Sequence, residues 1–377
     1  MDVTTGLDRS DSERPSKRIS LDLPEEKVNE TTVVRTNFRP QIYSNKLILA
    51  PMVRANSLPF RLICLRSGAD LVYSEELIDH RVATCKRVEN ELLETVDFID
   101  KDGRVIFRTC AEERDKIVFQ LGSNDPDRAL KAARLVCKDV IGIDFNFGCP
   151  KKFSIAGGMG AALLEQPERI KAILSHCVEN LDVSVTCKIR ILPNLDDTIK
   201  LVKLIQSCGV SAIAVHGRTR DQRPNDENNI EVIRSITENV NIPVIANGES
   251  NNIKNHIDIM EFKKKTKASS VMIARTAMKN PSIFSNAISI INPDLGSPLN
   301  GTRREINFTD TLLEYVKLCV KYDNHPSNVK YSLQSLLASQ LNEKEFVRKL
   351  YSANDLEKIC DVFELTDWFN KNQIKSC

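Results

Sequence analysis

Eight short runs of β-type residues, each followed by a longer amphipathic stretch, constrain the fold of this chain more than any other feature. The runs occupy residues 46–52, 71–74, 117–122, 142–147, 184–189, 212–216, 243–246 and 270–273. Parallel strands joined by crossover helices produce this alternation, so the fold class is α/β. Eight such units over roughly 230 residues predict a TIM barrel, because that fold usually takes about 250 residues.

The segments on either side of the barrel differ from it in composition. Residues 1–40 mix Ser, Thr, Pro and charged residues without periodicity, which predicts a disordered tail, and the barrel is predicted to occupy residues 41–291. After a linker at 292–301, residues 302–377 are predicted to form a C-terminal all-α helical domain of three or four amphipathic helices. Their apolar stripe consists of Leu312, Leu313, Tyr315, Val316, Leu318, Cys319, Leu341, Phe346, Leu350 and Leu356. Alternation over residues 96–107, around Asp102-Gly103, predicts a hairpin inserted into a barrel loop.

Charge and cysteine content limit the partners and the compartment. The 53 basic and 51 acidic residues give a net charge of +2, so nucleic acid would have to be bound by a local patch. The lysine run at 263–267 is interpreted as a solvated helix end rather than a nucleic-acid arm. The 11 cysteines are scattered and never spaced as Cys-x-x-Cys, which indicates a reducing compartment and no metal site. No run reaches the ~20 apolar residues of a membrane helix. We expect a cytoplasmic protein, with the nucleus as a second location.

Polar side chains end the predicted strands. In a TIM barrel, functional side chains lie at the carboxyl ends of the strands. The strand ends of this chain carry Pro51, Met52, Val53 and Arg54, then Glu75 and Glu76, Gln120, Asn146 and Cys149, Lys188 and Arg190, His216 and Arg218, Asn247 and Gly248, and Ala274 and Arg275. The sequence therefore predicts an active site at the barrel mouth.

The last two strand ends indicate what this mouth binds. TIM barrels commonly hold a phosphate after strands seven and eight, here at Asn247-Gly248 and Ala274-Arg275. Thr276 is predicted to cap a short helix there. With Lys188 and Gln120 pointing up from other strands, a flat cofactor with a phosphate, such as flavin mononucleotide (FMN), fits this outline.

Cys149 lies where the fourth strand ends, in the run Asn146-Phe147-Gly148-Cys149-Pro150, and a glycine-rich segment at 157–162 follows it. One interpretation is a functional thiol at the mouth. The other is a small hydrophobic side chain packed in the core, the usual fate of a free cysteine. His216 likewise is either a site residue or a core histidine bonded to a carbonyl.

Over residues 44–370 the chain resembles the tRNA-dihydrouridine synthases, flavin enzymes that reduce selected uridines of transfer RNA. The resemblance rests on Leu49-Ala50-Pro51-Met52, Phe119-Gln120-Leu121-Gly122, Asn146-Phe147-Gly148-Cys149-Pro150, Gly157-Gly158-Met159-Gly160-Ala161, Cys187-Lys188-Ile189-Arg190, Val215-His216-Gly217-Arg218-Thr219, Ala246-Asn247-Gly248 and Ala274-Arg275. Three further segments resemble the eukaryotic subgroup that acts on U20 of the D-loop: Val53-Arg54, residues 73–79, and residues 322–325 with Lys330-Tyr331. Animal members often carry a double-stranded-RNA-binding domain after the helices, and no such segment is expected before Cys377. Glu249 departs from the Gly or Asp usual after Asn-Gly.

The resemblance implies an NADPH- and FMN-dependent reduction of the uracil 5,6 double bond in tRNA. The hydride would pass from FMN to C6, and Cys149 would give a proton to C5. The implied cofactor-binding residues are Pro51, Met52, Val53, Glu76, Gln120, Asn146, Lys188, His216, Asn247, Gly248, Ala274 and Arg275. Asn146 and Arg190 would contact the uracil, and the helical domain would receive the tRNA. Lys151, Lys152 and Arg218 are either contacts to flanking phosphates or solvated surface. A monomer without a metal ion is expected.

Two other functions remain open at this stage. One is a flavin barrel that acts on a free pyrimidine, as the dihydroorotate and dihydropyrimidine dehydrogenases do; the helical domain disfavours it. The other is a non-catalytic RNA-binding or scaffolding protein built on a former enzyme, which the retention of Cys149, Lys188, His216 and Arg275 disfavours.

Overall fold

The computed structural model describes residues 37–285, 308–338 and 344–372, and a closed barrel of eight parallel strands forms its centre. The barrel strands are β1 (Leu47–Leu49), β2 (Leu71–Tyr73), β7 (Ile117–Gly122), β8 (Gly142–Phe147), β9 (Ser184–Arg190), β10 (Ala212–His216), β11 (Val244–Asn247) and β12 (Ser270–Ile273). Pairing of β1 with β12 and of β2 with β7 closes the barrel. The TIM barrel is confirmed, and every predicted run overlaps its strand.

Helices follow the barrel strands, the longer ones on the outside of the barrel and short ones in the loops at the strand ends. They are α1 (Leu58–Arg66), α2 (Asp79–Val82), α3 (Pro126–Val136), α4 (Lys152–Ala156), α5 (Pro167–Asn180), α6 (Leu195–Ser207), α7 (Ile230–Asn239), α8 (His256–Thr266) and α9 (Arg275–Lys279). The side chains of Asp125, Asn194, Asn229 and Asn255 cap α3, α6, α7 and α8 by accepting a backbone N–H of the first turn. These caps define where each crossover loop ends.

An insertion between β2 and β7 forms a small antiparallel sheet. After β3 (Leu77–Ile78), which pairs with β7, come β4 (Lys86–Asn90), β5 (Thr95–Ile99) and β6 (Val105–Cys110). The hairpin predicted around Asp102-Gly103 joins β5 to β6 and is confirmed. Strand β4 was not predicted, because its residues are mostly polar and none of them is fully buried, so it lacks the apolar alternation of a strand.

The lower end of the barrel is closed by residues from before the first strand. Tyr43 is fully buried, and its hydroxyl lies 2.7 Å from Ser184 Oγ. Asn37 Nδ2 donates to the carbonyl oxygens of Val178 (2.6 Å) and Leu181 (2.9 Å). Packing against the barrel therefore includes Asn37, four residues before the predicted start at 41; residues 1–36 of the predicted tail lie outside the described residues.

The C-terminal region is helical, as predicted. Its described part holds α10 (Phe308–Lys321), α11 (Pro326–Leu336), α12 (Lys344–Ser352), α13 (Leu356–Val362) and α14 (Thr366–Asn372), five helices rather than three or four. The stripe of α10 is buried against α1, where the rings of Phe60 and Tyr315 meet edge to face at 6.2 Å. The predicted linker and Leu341 lie outside the described residues. Among the described helices, none has the length and apolar character needed to cross a membrane.

Candidate active site

The carboxyl ends of the barrel strands bring the predicted site residues to one rim. Pro51, Met52 and Val53 follow β1, Glu76 follows β2, Gln120 lies in β7, Asn146 in β8 with Cys149 beyond it, Lys188 and Arg190 in β9, His216 in β10, Asn247 in β11 with Gly248 beyond it, and Ala274 and Arg275 follow β12. Because the strands are parallel and the sheet is closed, these residues surround a single mouth.

The loop that carries Cys149 is fixed from two sides. Ala161 donates its backbone N–H to the carbonyl oxygen of Cys149 at 3.0 Å. Arg190 Nε donates to the carbonyl oxygen of Gly148 at 3.1 Å. The Cys149 side chain is half-buried rather than packed in the core. The loop therefore presents a thiol at the mouth in a defined position.

The surroundings of Cys149 favour the neutral thiol. Burial, and then the negative charge of Glu76, raise the pKa of Cys149. Glu76 is only 8% exposed, and neither of its carboxylate oxygens has hydrogen-bond geometry with another described residue, although Cys149 and Asn146 lie beside it. Burial also raises the pKa of Glu76. Cys149 is thus suited to give a proton rather than to attack as a thiolate.

Cationic side chains accumulate at the ends of β9, β10 and β12, and β9 is the strand paired with β8, which leads to Cys149. Within the described residues, Lys188, Arg190, Arg218 and Arg275 form no ion pair with an acidic side chain. Burial and the charge of Arg190 lower the pKa of Lys188 to about 8. Burial and four neighbouring cations lower the pKa of His216. Like charges held together in this way are stabilised by an anion, so this part of the mouth is suited to bind one.

His216 is not a core histidine bonded to a carbonyl. Its Nε2 atom lies 3.1 Å from Nη1 of Arg218. Because a guanidinium only donates hydrogen bonds, Nε2 is the acceptor and the ring proton of the neutral imidazole is on Nδ1. His216 therefore has an N–H donor, and the described residues provide no acceptor for it.

Arg218, predicted to be either a phosphate contact or solvated surface, is not solvated. It is 2% exposed. Its Nε donates to the carbonyl oxygen of Asp226 at 2.8 Å, and its Nη atoms donate to the carbonyl oxygens of Gly248 and Pro224. Together with the contact to His216, these bonds use four of its five N–H groups within the protein, which leaves one N–H of Nη2 for a phosphate.

Arg190, predicted to contact uracil, also ties loops together. Besides the carbonyl of Gly148, its Nη1 donates to the carbonyl oxygens of Thr219 (2.7 Å) and Gln222 (3.2 Å). Only Nη2 forms no hydrogen bond with a described residue. Arg190 consequently positions the Cys149 loop and keeps the two N–H groups of Nη2 for a ligand.

The turn after β11 is built by buried polar residues. Asn247 Nδ2 donates to the carbonyl oxygen of Met272 at 2.8 Å. Gly248 has φ +117°, and a β-carbon there would come within 2.8 Å of Asn228 Cγ, so glycine is required. Glu249 is buried and accepts from Asn228 Nδ2 at 2.9 Å. Glu249 therefore stabilises the turn instead of facing a phosphate.

The predicted cap of the helix after β12 is wrong. Helix α9 begins at Arg275 and has no side-chain cap at Ala274. Thr276 lies inside the helix, where its hydroxyl donates to the carbonyl oxygen of Ser250 at 3.1 Å. Arg275 is half-buried, and its Nη2 is 3.4 Å from Asn251 Oδ1, so most of its guanidinium remains available.

Asp144 is a residue of the mouth that the sequence analysis did not identify. It is fully buried in β8, accepts from Gln120 Nε2 at 2.8 Å and from Thr186 Oγ1 at 2.7 Å, and burial raises its pKa to about 6. The available signal was an acidic residue between the apolar residues Ile143 and Phe145 of a strand.

The three segments that resemble the U20 subgroup meet beside the mouth. Arg54 donates its backbone N–H to Glu75 Oε2 at 2.9 Å, and its guanidinium carbon lies 4.7 Å from the ring centroid of Tyr331 in α11. Asn324 Nδ2 donates to Ser57 Oγ at 3.2 Å. These contacts join the rim of the barrel to the helical domain.

Gly160→Ala is expected to displace the Cys149 loop. Gly160 has φ +58°, and an added β-carbon would lie 2.6 Å from the Cys149 carbonyl oxygen and 3.0 Å from Cys149 Cβ. Gly103→Ala is the matched control, because Gly103 also has a positive φ (+78°) but has no neighbour within 4 Å of the added carbon. Backbone strain alone costs about 1–3 kcal/mol in either variant. Thermal unfolding and the alkylation rate of Cys149 distinguish them: equal losses of stability with unchanged alkylation would contradict the expected displacement.

Comparisons with known proteins show which family the chain belongs to. The family model described as dihydrouridine synthase matches residues 48–371. The chain is 35% identical over 333 residues to a tRNA-dihydrouridine(20) synthase of Schizosaccharomyces pombe, an alignment that covers 85% of this chain and 66% of the relative. It is 36% identical over 309 residues to the tRNA-dihydrouridine(20) synthase of Saccharomyces cerevisiae, with 78% of each chain covered. It is also 35% identical to tRNA-dihydrouridine synthase B of Yersinia pestis, over 64% of this chain and 70% of the relative. The chain belongs to the dihydrouridine synthase family.

Proposed function

We propose that this protein reduces the uracil 5,6 double bond of the D-loop uridine at position 20 of tRNA, with FMN as cofactor and NADPH as hydride donor. The observation that carries the proposal is the Cys149 thiol, whose raised pKa favours the protonated form, at a barrel mouth that also holds a cluster of cationic side chains. The family supports tRNA as substrate, and the two yeast relatives, both tRNA-dihydrouridine(20) synthases, support position 20.

The residues of the mouth fit a flavin with a phosphate. Arg275 would hold the phosphate, since most of its guanidinium is unpaired. Lys188 and the N–H of His216 would face the flavin ring, where a cation stabilises the reduced, anionic state. When bound, the flavin would supply the hydride that C6 of the uracil receives.

Cys149 completes the reduction. Addition of a hydride at C6 leaves negative charge at C5 and its carbonyl, and this charge has to be quenched by a proton. The neutral Cys149 thiol gives that proton to C5 and becomes a thiolate, which water then reprotonates. Its raised pKa keeps the thiol protonated at neutral pH, and Arg190 holds its loop in place.

The rim beside Cys149 is suited to RNA. A uridine in a folded loop must leave its stack to enter the mouth, at a cost of a few kcal/mol. Lys151 and Lys152 are exposed, and the adjacent Phe153 is 51% exposed. Cations for phosphates beside an aromatic ring for a base are the combination with which proteins bind unpaired nucleotides. The sequence analysis identified the two lysines but not Phe153.

We further propose a monomer without a metal ion that acts in the cytoplasm, with the nucleus as a second location. The cysteines of the described part are all unpaired, which supports a reducing compartment.

The experiment that tests the function uses purified protein, NADPH and unmodified tRNA, followed by mapping of dihydrouridine along the tRNA. A signal at U20 that requires both NADPH and protein is the expected result. Oxidation of NADPH by a yellow protein without any dihydrouridine in tRNA, but with reduction of free uracil, would overturn the proposal in favour of a free pyrimidine.

Turnover is expected to fall as the pH rises through about 8, where Lys188 loses its proton. Lys188→Arg should move the fall to higher pH, because a guanidinium keeps its charge. The rate of dihydrouridine formation between pH 6.5 and 9.5 checks this, and a fall at the same pH in both proteins would assign it to another group.

The stability of the protein should change in the opposite sense. The pKa of Lys188 in the folded state lies below its unfolded value of about 10.4, so the folded state gains stability as the pH rises between these two pKa values.

A further inference from the structure

Three polar side chains form one layer inside the barrel. Gln120 in β7 is opposite Asp144 in β8, and Asp144 is opposite Thr186 in β9, in the parallel register of these strands. Gln120 is 1% exposed, and Asp144 and Thr186 are fully buried. Gln120 Nε2 donates to one carboxylate oxygen of Asp144 at 2.8 Å, and Thr186 Oγ1 donates to the other at 2.7 Å.

The charge of Asp144 decides which end of the Gln120 amide faces it. An ionised carboxylate only accepts hydrogen bonds, so the amide must turn its NH2 group towards Asp144. The reversed amide would place its carbonyl oxygen against a buried negative charge. The Oε1 atom of Gln120, in contrast, forms no hydrogen bond with any described residue, so it is an unused acceptor two residues before the carboxyl end of β7.

We propose that Asp144 is a positioning residue that fixes the Gln120 amide with its oxygen towards the cofactor, and so makes the mouth selective for a flavin ring that carries an N–H. The inference rests on the proposed flavin binding. The oxidised flavin ring has a single N–H, at N3 between two carbonyl groups. An amide held in this orientation pairs with that N–H, and it cannot turn to offer NH2 to a ring whose N3 is methylated.

The test compares the affinities of the flavin-free full-length protein for FMN and 3-methyl-FMN, measured by quenching of flavin fluorescence at pH 8, well above the pKa of about 6 that burial gives Asp144. Asp144→Asn allows the amide to turn, because asparagine can donate to Gln120 as well as accept from it. This variant should bind 3-methyl-FMN more tightly than the natural protein does, and the preference for FMN should fall about tenfold. Structural damage would instead weaken the binding of both flavins and would strengthen the binding of neither.

Thr186→Val is the matched control. It removes the other hydrogen bond to the same carboxylate but leaves the charge that orients Gln120, so the preference for FMN should stay as in the natural protein. Asp144→Ser, whose hydroxyl also donates or accepts, serves as a second variant if Asp144→Asn folds poorly. If the preference for FMN were unchanged in the Asp144 variants, or fell equally in Thr186→Val, the role of Asp144 would be wrong. The proposed flavin binding would still stand. Failure of the natural protein to bind either flavin would overturn the proposed function together with the role of Asp144.

Discussion

Cys149→Ala is expected to lower the rate of dihydrouridine formation by about 10²- to 10⁴-fold, the usual contribution of a positioned general acid. Only the half-buried side chain of Cys149 reaches the mouth. Its backbone carbonyl oxygen accepts a hydrogen bond from the N–H of Ala161. Alanine keeps that backbone and removes the proton donor. Flavin content and thermal stability should therefore stay close to those of the natural protein, and single-turnover formation of dihydrouridine measures the loss.

Cys137→Ala is the matched control for that prediction. Cys137 is also half-buried, but it follows α3 on the outside of the barrel, where its thiol contacts the carbonyl of Arg134. Its loss should leave the rate nearly unchanged. If Cys149→Ala kept full turnover, or lost its flavin together with its activity, the general-acid role of Cys149 would be wrong.

The barrel and its mouth could be predicted from the sequence because both depend on local patterns. Each strand is buried on both faces and forms a short apolar run, and the residues that follow a run lie at the rim by the topology of the fold. Cys149, Lys188 and His216 reach the mouth in this way. A residue's place along the chain was enough to locate them.

The role of a side chain at the rim depends on contacts that cannot be predicted from its position along the sequence. The resemblance implied that Arg190 contacts uracil, and Arg218 was interpreted as a phosphate contact or solvated surface, but both guanidinium groups donate to loop carbonyls such as those of Thr219 and Gly248. Buried carbonyl oxygens need donors, and a long forked cation supplies several at once. The partners are distant along the chain, so no local pattern reveals them. Asp144 is a similar case, since its role follows from its neighbours on β7 and β9.

The largest expected effect on stability comes from Arg61 in α1, whose side chain is 2% exposed and ion-paired with the fully buried Glu113. Its guanidinium donates to both carboxylate oxygens at 2.8 and 2.6 Å, and to the carbonyl oxygens of Asn56 and Arg108. Arg61→Met leaves the Glu113 charge and these carbonyls buried without a donor. Loss of one partner of a buried pair costs about 3–5 kcal/mol. The free energy of unfolding in urea measures this loss.

Arg66→Met provides the control within the same helix, because Arg66 also forms ion pairs, with Glu112 and Glu314, but all three side chains are more than a third exposed. An exposed pair contributes about 0–1 kcal/mol, so this variant should unfold near the natural midpoint. Arg61→Met with Glu113→Leu should recover much of the lost stability, since no charge is then left unpaired in the core. The contribution of an ion pair to stability thus depends on its burial rather than on the pairing itself. Equal losses of unfolding free energy in Arg61→Met and Arg66→Met would contradict this conclusion. Because Arg61 joins α1 to the inserted sheet at Arg108, and α1 supports α10, the same variant should also loosen the helical domain that is proposed to receive the tRNA.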